Sequence, residues 1–245
     1  MGARKSWWGP MTELDTRKPS TGRFTAYVLN QFGAPKLGEL SICGAPPMDP
    51  PPPYLGALIL SNIFVAQLYD PLGRMVLMFS RRVDQAIREY RTAHDLLASY
   101  VAELNERNDH FLRAMQATAH FEQSIASACQ AFKLMKRLNH RLGPNRELPD
   151  DRRALRIIKL WNRSKHFDED LEGCSLADKD IIAPVWLTND GIECIDAFVP
   201  FTEFRTVLLD LLDGLKFFAE VLPQQHTEDR EARNAEADAG ARKPA

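Results

Sequence analysis

The chain has few of the features that usually announce a function. Its four cysteines, Cys43, Cys129, Cys174 and Cys194, are scattered and form no C-x-x-C pair. That excludes a zinc ribbon and a disulfide framework and fits a reducing compartment. There is no Gly-rich phosphate loop, no nucleophile elbow, no strand–helix alternation and no internal repeat, so a conventional metabolic enzyme is not expected. Charge excess is missing too. With 31 lysines and arginines against 33 aspartates and glutamates, the net charge is −2. A protein that coats nucleic acid would be basic throughout, so a polyanion here must be held by a local patch. Long apolar runs are also absent. The strongest, Leu55 to Tyr69, is broken by Ser61, Asn62 and Gln67 and closed by Asp70-Pro71, about 15 residues where a membrane span needs about 20. It reads as a buried core helix, with no membrane partner. Arg4 and Lys5 precede no apolar core of signal-peptide length, and the expected location is the cytoplasm.

What is present is a helical pattern behind an irregular start. Residues 1–54 read as an N-terminal arm and linker. Arg23 to Leu29 suits one short extended segment, and Pro46-Pro47-Met48-Asp49-Pro50-Pro51-Pro52-Pro53 reads as a stiff polyproline spacer or a ligand for a proline-binding module. Residues 55–222 read as the folded body, and 44% hydrophobic content over the chain supports a sizeable core. Val76, Phe79, Val83, Ile87, Tyr90, Leu97, Val101 and Leu104 recur at spacings of mostly three and four, which predicts one long amphipathic helix. Asn105 to Asp109 interrupts it. A second long helix carries Phe111, Leu112, Met115, Ile125, Cys129, Phe132 and Met135 and ends at Gly143-Pro144. Lys133, Lys136, Arg137, His140 and Arg141 crowd its end, where cations complement the helix dipole or meet a nucleic acid.

A third helix starts near Pro149-Asp150-Asp151, with an aspartate as N-cap. After a loop from Gly173 to Pro184, Val185-Trp186-Leu187 and Ile192 to Ile195 flank Asn189-Asp190-Gly191. This predicts a small β-hairpin whose Asp-Gly turn uses the positive φ open to glycine. A last helix spans about Thr202 to Val221, with Phe204, Val207, Leu208, Leu211, Leu212, Leu215 and Phe218 on its apolar face. Residues 223–245 lack apolar spacing and read as a disordered tail. The expected fold is therefore all-α, an antiparallel helical bundle with two long helices and a small β-hairpin inserted before the last helix.

The densest chemistry lies in Leu160-Trp161-Asn162-Arg163-Ser164-Lys165-His166-Phe167-Asp168-Glu169-Asp170. At about 100° per residue, Arg152, Arg156, Lys159, Arg163 and His166 share one stripe, beside an apolar stripe of Ala154, Ile158 and Trp161. Leu155 and Asn162 fall on the margin between them. Such a seam places a half-buried histidine before a row of cations, an arrangement suited to polyanion binding or to chemistry on a phosphodiester. Asn162 and His166 lie one turn apart and face the same way. The amide is placed to orient the imidazole or touch a phosphate oxygen, and the imidazole to act as general base or acid for a ribose hydroxyl. The other reading is that both satisfy backbone groups at the helix end while Asp168, Glu169 and Asp170 solvate the exit loop. A metal site on His166 and these carboxylates is not expected, because adjacent carboxylates diverge and no second histidine is near in sequence. No cofactor is implied.

Phe121-Glu122-Gln123-Ser124-Ile125 on one helix, Asn162-Arg163-Ser164-Lys165-His166 ending the next, and a final apolar helix together resemble the HEPN superfamily of small helical bundles over residues 110–222. The resemblance is to uncharacterised bacterial members. It implies a metal-independent ribonuclease that dimerises, so that an arginine and a histidine from both subunits converge on one RNA phosphate. Here Trp161 occupies the arginine position, Arg163 is too close to His166 for the family spacing, and Arg156 is too far. The resemblance thus implies a weakened or lost endoribonuclease of toxin or defence type that keeps the fold.

Two functions follow as expectations. The first is an RNA-directed protein, a binder or feeble ribonuclease, with Asn162 and His166 as catalytic residues and Arg152, Arg156, Lys159 and Arg163 as RNA contacts. The second is a non-catalytic, homodimeric helical interaction module that recruits an antitoxin-like or other protein partner. Trp161 is expected to be mostly buried against the two long helices.

Overall fold

The computed structural model describes residues 36–51, 71–103, 111–142, 151–167 and 183–218. The run Leu55 to Tyr69, the carboxylates Asp168 to Asp170 and the tail from 223 onward lie outside these, as does the arm before Lys36. The described chain is mostly helical with one small antiparallel sheet. Helix α1 spans Pro71–Glu103, starting on a proline, whose missing N–H costs nothing in a first turn. Helix α2 spans Phe111–Leu142 and α3 spans Asp151–Lys165. Helix α4 covers 201–218. Strands β1 (Trp186–Leu187), β2 (Gly191–Cys194) and β3 (Ala197–Pro200) lie between α3 and α4.

The periodicity of α1 is realised: Val76, Phe79, Val83, Ile87, Tyr90 and Leu97 are all buried. Helix α2 runs antiparallel to it. Glu103 pairs with Arg113, Tyr90 packs edge-on against Phe121 and Ala86 accepts a hydrogen bond from Ser124 Oγ at 2.7 Å, so the α2 number rises as the α1 number falls. The buried faces of the two helices are built from small residues as much as large ones. Ala86 and Ala93 of α1 and Ala114, Ala117, Ser124, Ala128 and Ala131 of α2 are buried, while Leu112 is 67% exposed. Alanines let helix backbones approach closely, which a count of bulky apolar residues does not register. Helix α4 closes this pair through Phe201 on Phe121, Phe204 on Tyr90 and Phe218 on Phe79, with ring centroids 5.1–5.7 Å apart. A methyl group on Gly214 would approach Met135 Sδ to 2.9 Å, so glycine permits this close contact of α4 with α2.

The expected hairpin is a three-stranded meander in the order β1-β2-β3. Ile192 pairs with Leu187 on one side and Val199 on the other, and all three side chains are buried. The third strand escapes the sequence pattern because Ala197-Phe198-Val199-Pro200 is only four residues long and runs directly into α4. The reason for Gly191 also differs from expectation. Its place is set by crowding, since a Cβ there would sit 2.4 Å from the Val199 carbonyl oxygen and against the Phe198 ring.

Within the arm, the segment Lys36 to Pro51 packs on the folded body, with Leu37, Leu40, Ala45 and Met48 buried. Asn189 Oδ1 accepts hydrogen bonds from the Ser41 and Ile42 amides at 2.9 and 3.1 Å. Gly44 lies so close to the β1–β2 turn that a Cβ would meet the Asn189 oxygen at 2.0 Å. Pro46 and Pro47 are not a free spacer: their carbonyls accept from Tyr90 Oη (2.8 Å) and Arg205 Nε (3.1 Å). Proline suits such a docked segment because it brings an acceptor to satisfy and no N–H.

Candidate functional site

Helix α3 carries the candidate residues, and its buried face is Ala154, Ile157 and Leu160. That is a rotation from the expected stripe. Ile158 and Trp161 are half-buried at the margin of the core, Leu155 is 59% exposed, and Arg152, Asn162 and His166 are exposed. The rotation arises because α3 rests on two supports, α2 on one flank and the sheet with the start of α4 on the other. His166 therefore stands at the exposed end of the helix, where its amide donates to the Asn162 carbonyl at 3.1 Å.

The flank toward the sheet takes three of the four expected RNA-binding cations. Arg156 makes a two-pronged contact with Glu203 at the start of α4, its Nε 2.8 Å from Oε1. Lys159 Nζ donates to the Asp196 carbonyl at 2.8 Å and lies 3.1 Å from its Oδ2. Arg163 approaches the same carboxylate through Nε at 3.2 Å and Nη2 at 3.3 Å. Asp196 occupies the β2–β3 turn. Burial pushes its carboxyl up, but hydrogen bonds and charges from Arg163 and Lys159 outweigh that and hold it below the usual aspartate value. On this flank the cations fasten α3 to the sheet and to α4.

The flank toward α2 has a different chemistry. Lys133 Nζ stands 4.4 Å from the centroid of the Trp161 ring, and Lys165 Nζ stands 5.8 Å from it. Lys136 lies over Phe132 at 4.9 Å. Lys133, Lys136, Arg137, His140, Arg141 and Lys165 are exposed. From Gln123 to Leu142 and again from Arg152 to Phe167 the chain has no aspartate or glutamate. These acid-free runs are the sequence signal that joins the two helices into one basic face, and the position of Lys133 against Trp161 could not be read without the fold.

Glu122 is the acidic exception on α2. Burial pushes its carboxyl up to about 7, and among the described residues no cation is paired with it. Elsewhere, a cleft of about 410 Å³ is lined by Lys36, Glu39, Asn189, Asp190, Glu193 and Phe198. Its polar groups are largely spent internally: Lys36 pairs with Glu193 at 2.6 Å, and Asn189 holds the arm. Neither His166 nor Asn162 borders it. Among the described residues no group of three His, Cys, Asp or Glu is placed to hold a metal ion, and no helix is long and apolar enough to cross a membrane. No family model matches the chain, and no curated protein or solved structure matches it either.

Proposed function

We propose that the chain is an RNA-directed, HEPN-like helical bundle protein of toxin or defence type that binds RNA rather than cutting it. The observation that carries this reading is the gathering of Lys133, Lys136, Arg137, Arg141 and Lys165 on two neighbouring helices, within the acid-free runs Gln123 to Leu142 and Arg152 to Phe167 of a chain of net charge −2. Local positive potential on a neutral protein is the footprint of a specific polyanion site. Binding is preferred over cleavage because Trp161 stands where the resemblance calls for arginine, and because Asn162 and His166 lie on an exposed helix end outside the cleft. Transition-state stabilisation needs charge aimed at the reacting phosphate in a water-poor site. Asn162 and His166 remain the residues to which any residual, metal-independent cleavage is assigned, in a homodimer that brings two copies of the motif together.

The test is a shift and cleavage assay with single-stranded RNA across a salt series. Affinity should fall steeply with salt, as counterion release requires. His166→Ala should spare most of the affinity and remove any residual cleavage. Absence of a shift at low salt would sink the RNA reading. The second reading, a non-catalytic dimeric interaction module with an antitoxin-like or other protein partner, is favoured by one observation: Arg156, Lys159 and Arg163 are engaged with Glu203 and Asp196.

A further inference from the structure

Two ammonium groups from different helices are gathered against one indole ring. We infer that Lys133 and Lys165, held against the Trp161 ring, form a two-cation clamp for a backbone phosphate of single-stranded RNA beside Asn162 and His166. This rests on the RNA reading above and names the residues that carry it. The two ring-to-ammonium distances, 4.4 and 5.8 Å, together cap the separation of the nitrogens at about 10 Å, so both ammonium groups fall within one local site. An aromatic face attracts an ammonium through its quadrupole without cancelling its charge. A carboxylate partner, such as Asp196 for Arg163, cancels most of it. Among the described residues neither Lys133 nor Lys165 has a carboxylate partner.

Trp161 is therefore a positioning residue. It limits the wandering of two flexible side chains that come from different helices, and Lys165 directly precedes His166 in the chain. Trp161 packs against the core but is not fully buried, and its remaining exposed surface beside the ammonium groups can meet an unpaired base. Aromatic surface next to cations is how single strands are held without sequence reading. An acidic peptide would meet the cations but offers no base to lie on the indole, and a duplex keeps its bases stacked away from it.

The experiment uses the full chain and a short fluorescein-labelled oligouridylate, read by anisotropy over a salt series. Lys133→Gln with Lys165→Gln should weaken binding about ten-fold or more and lower the slope of log affinity against log salt by about 0.7, the value for one fewer neutralised phosphate on a single strand. Lys133→Arg with Lys165→Arg should bind like the wild type. Trp161→Phe should retain most of the affinity and Trp161→Leu should lose it, with circular dichroism reporting that each variant is folded. If the wild type binds and the double glutamine variant binds equally tightly with an unchanged slope, the clamp is overturned and the RNA reading survives. If the wild type does not bind at low salt, both are overturned. Displacement of the oligouridylate by polyglutamate at equal charge concentration would also overturn the clamp, in favour of an acidic protein partner.

Discussion

The two flanks of α3 carry the same residue types and put them to different uses. Toward the sheet, Arg156, Lys159 and Arg163 meet Glu203 and Asp196. Their charge is largely cancelled, and what remains is a set of ties between a short helix and its neighbours. Toward α2, Lys133 and Lys165 meet an indole, which orders the side chains but leaves the charge in place. A lysine becomes a fastener or a binding group according to whether its nearest partner is an anion or a π face. Counting cations along one helix cannot separate the two cases.

The most severe way to break the comparison is to remove what holds both flanks in register. Leu160 is fully buried at the centre of α3, so Leu160→Ala should cost about 2–5 kcal/mol, read by chemical denaturation. Trp161→Ala should cost less than this, because half-burial leaves a smaller cavity; an equal or larger loss would mean that the indole is core and not a perch for lysines.

Asp196→Asn tests the sheet flank. It should cost about 1 kcal/mol, as expected for a partly exposed ion pair with two cations, while raising RNA affinity by releasing Lys159 and Arg163 from their carboxylate. The pH dependence has a definite sign. The folded-state value of this carboxyl lies below its ordinary value, so its stabilisation is complete above the ordinary value and is lost as pH falls through the lowered one. The asparagine variant should lack that acid-side loss. Unchanged RNA affinity in a folded Asp196→Asn protein would mean that the sheet-side cations take no part in binding even when released.

Glu122 gives an effect of opposite sign. Its carboxyl is raised to about 7 by burial, so the folded protein keeps a proton that the unfolded chain gives up near the ordinary glutamate value. Stability should decline as pH rises between those two values. Glu122→Gln should remove this decline, raising Tm by a few degrees at about pH 8 and leaving it unchanged at about pH 4. The least effect on stability is expected from Lys133→Gln with Lys165→Gln, within about 0.5 kcal/mol because both are surface positions. A larger thermal loss would place these lysines with the fasteners and erase the contrast between the flanks.

Periodicity alone located the helices. The three-to-four spacing of Val76, Phe79, Val83, Ile87 and Tyr90 and the face of Phe204, Val207, Leu208, Leu211, Leu215 and Phe218 are buried as read, because a long amphipathic helix has one way to hide an apolar stripe. The acid-free runs on α2 and α3, and the acid-poor surroundings they create, are likewise properties of the chain itself. Which alanines of α1 and α2 are buried, that Pro46 and Pro47 are docked, and that a third strand forms were decided by packing, since small residues and single short strands have no period strong enough to read. The rotation of α3 belongs with these. Ala154, Ile157 and Leu160 face inward because two neighbours compete for the helix, and a helix of 15 residues turns to satisfy both. Which cations are paired and which stand on an indole was decided the same way, by contacts across 28 residues of chain to Lys133 and 33 to Asp196. Charge pairing at that sequence distance depends on side chains meeting in space, and only the tertiary fold brings them together.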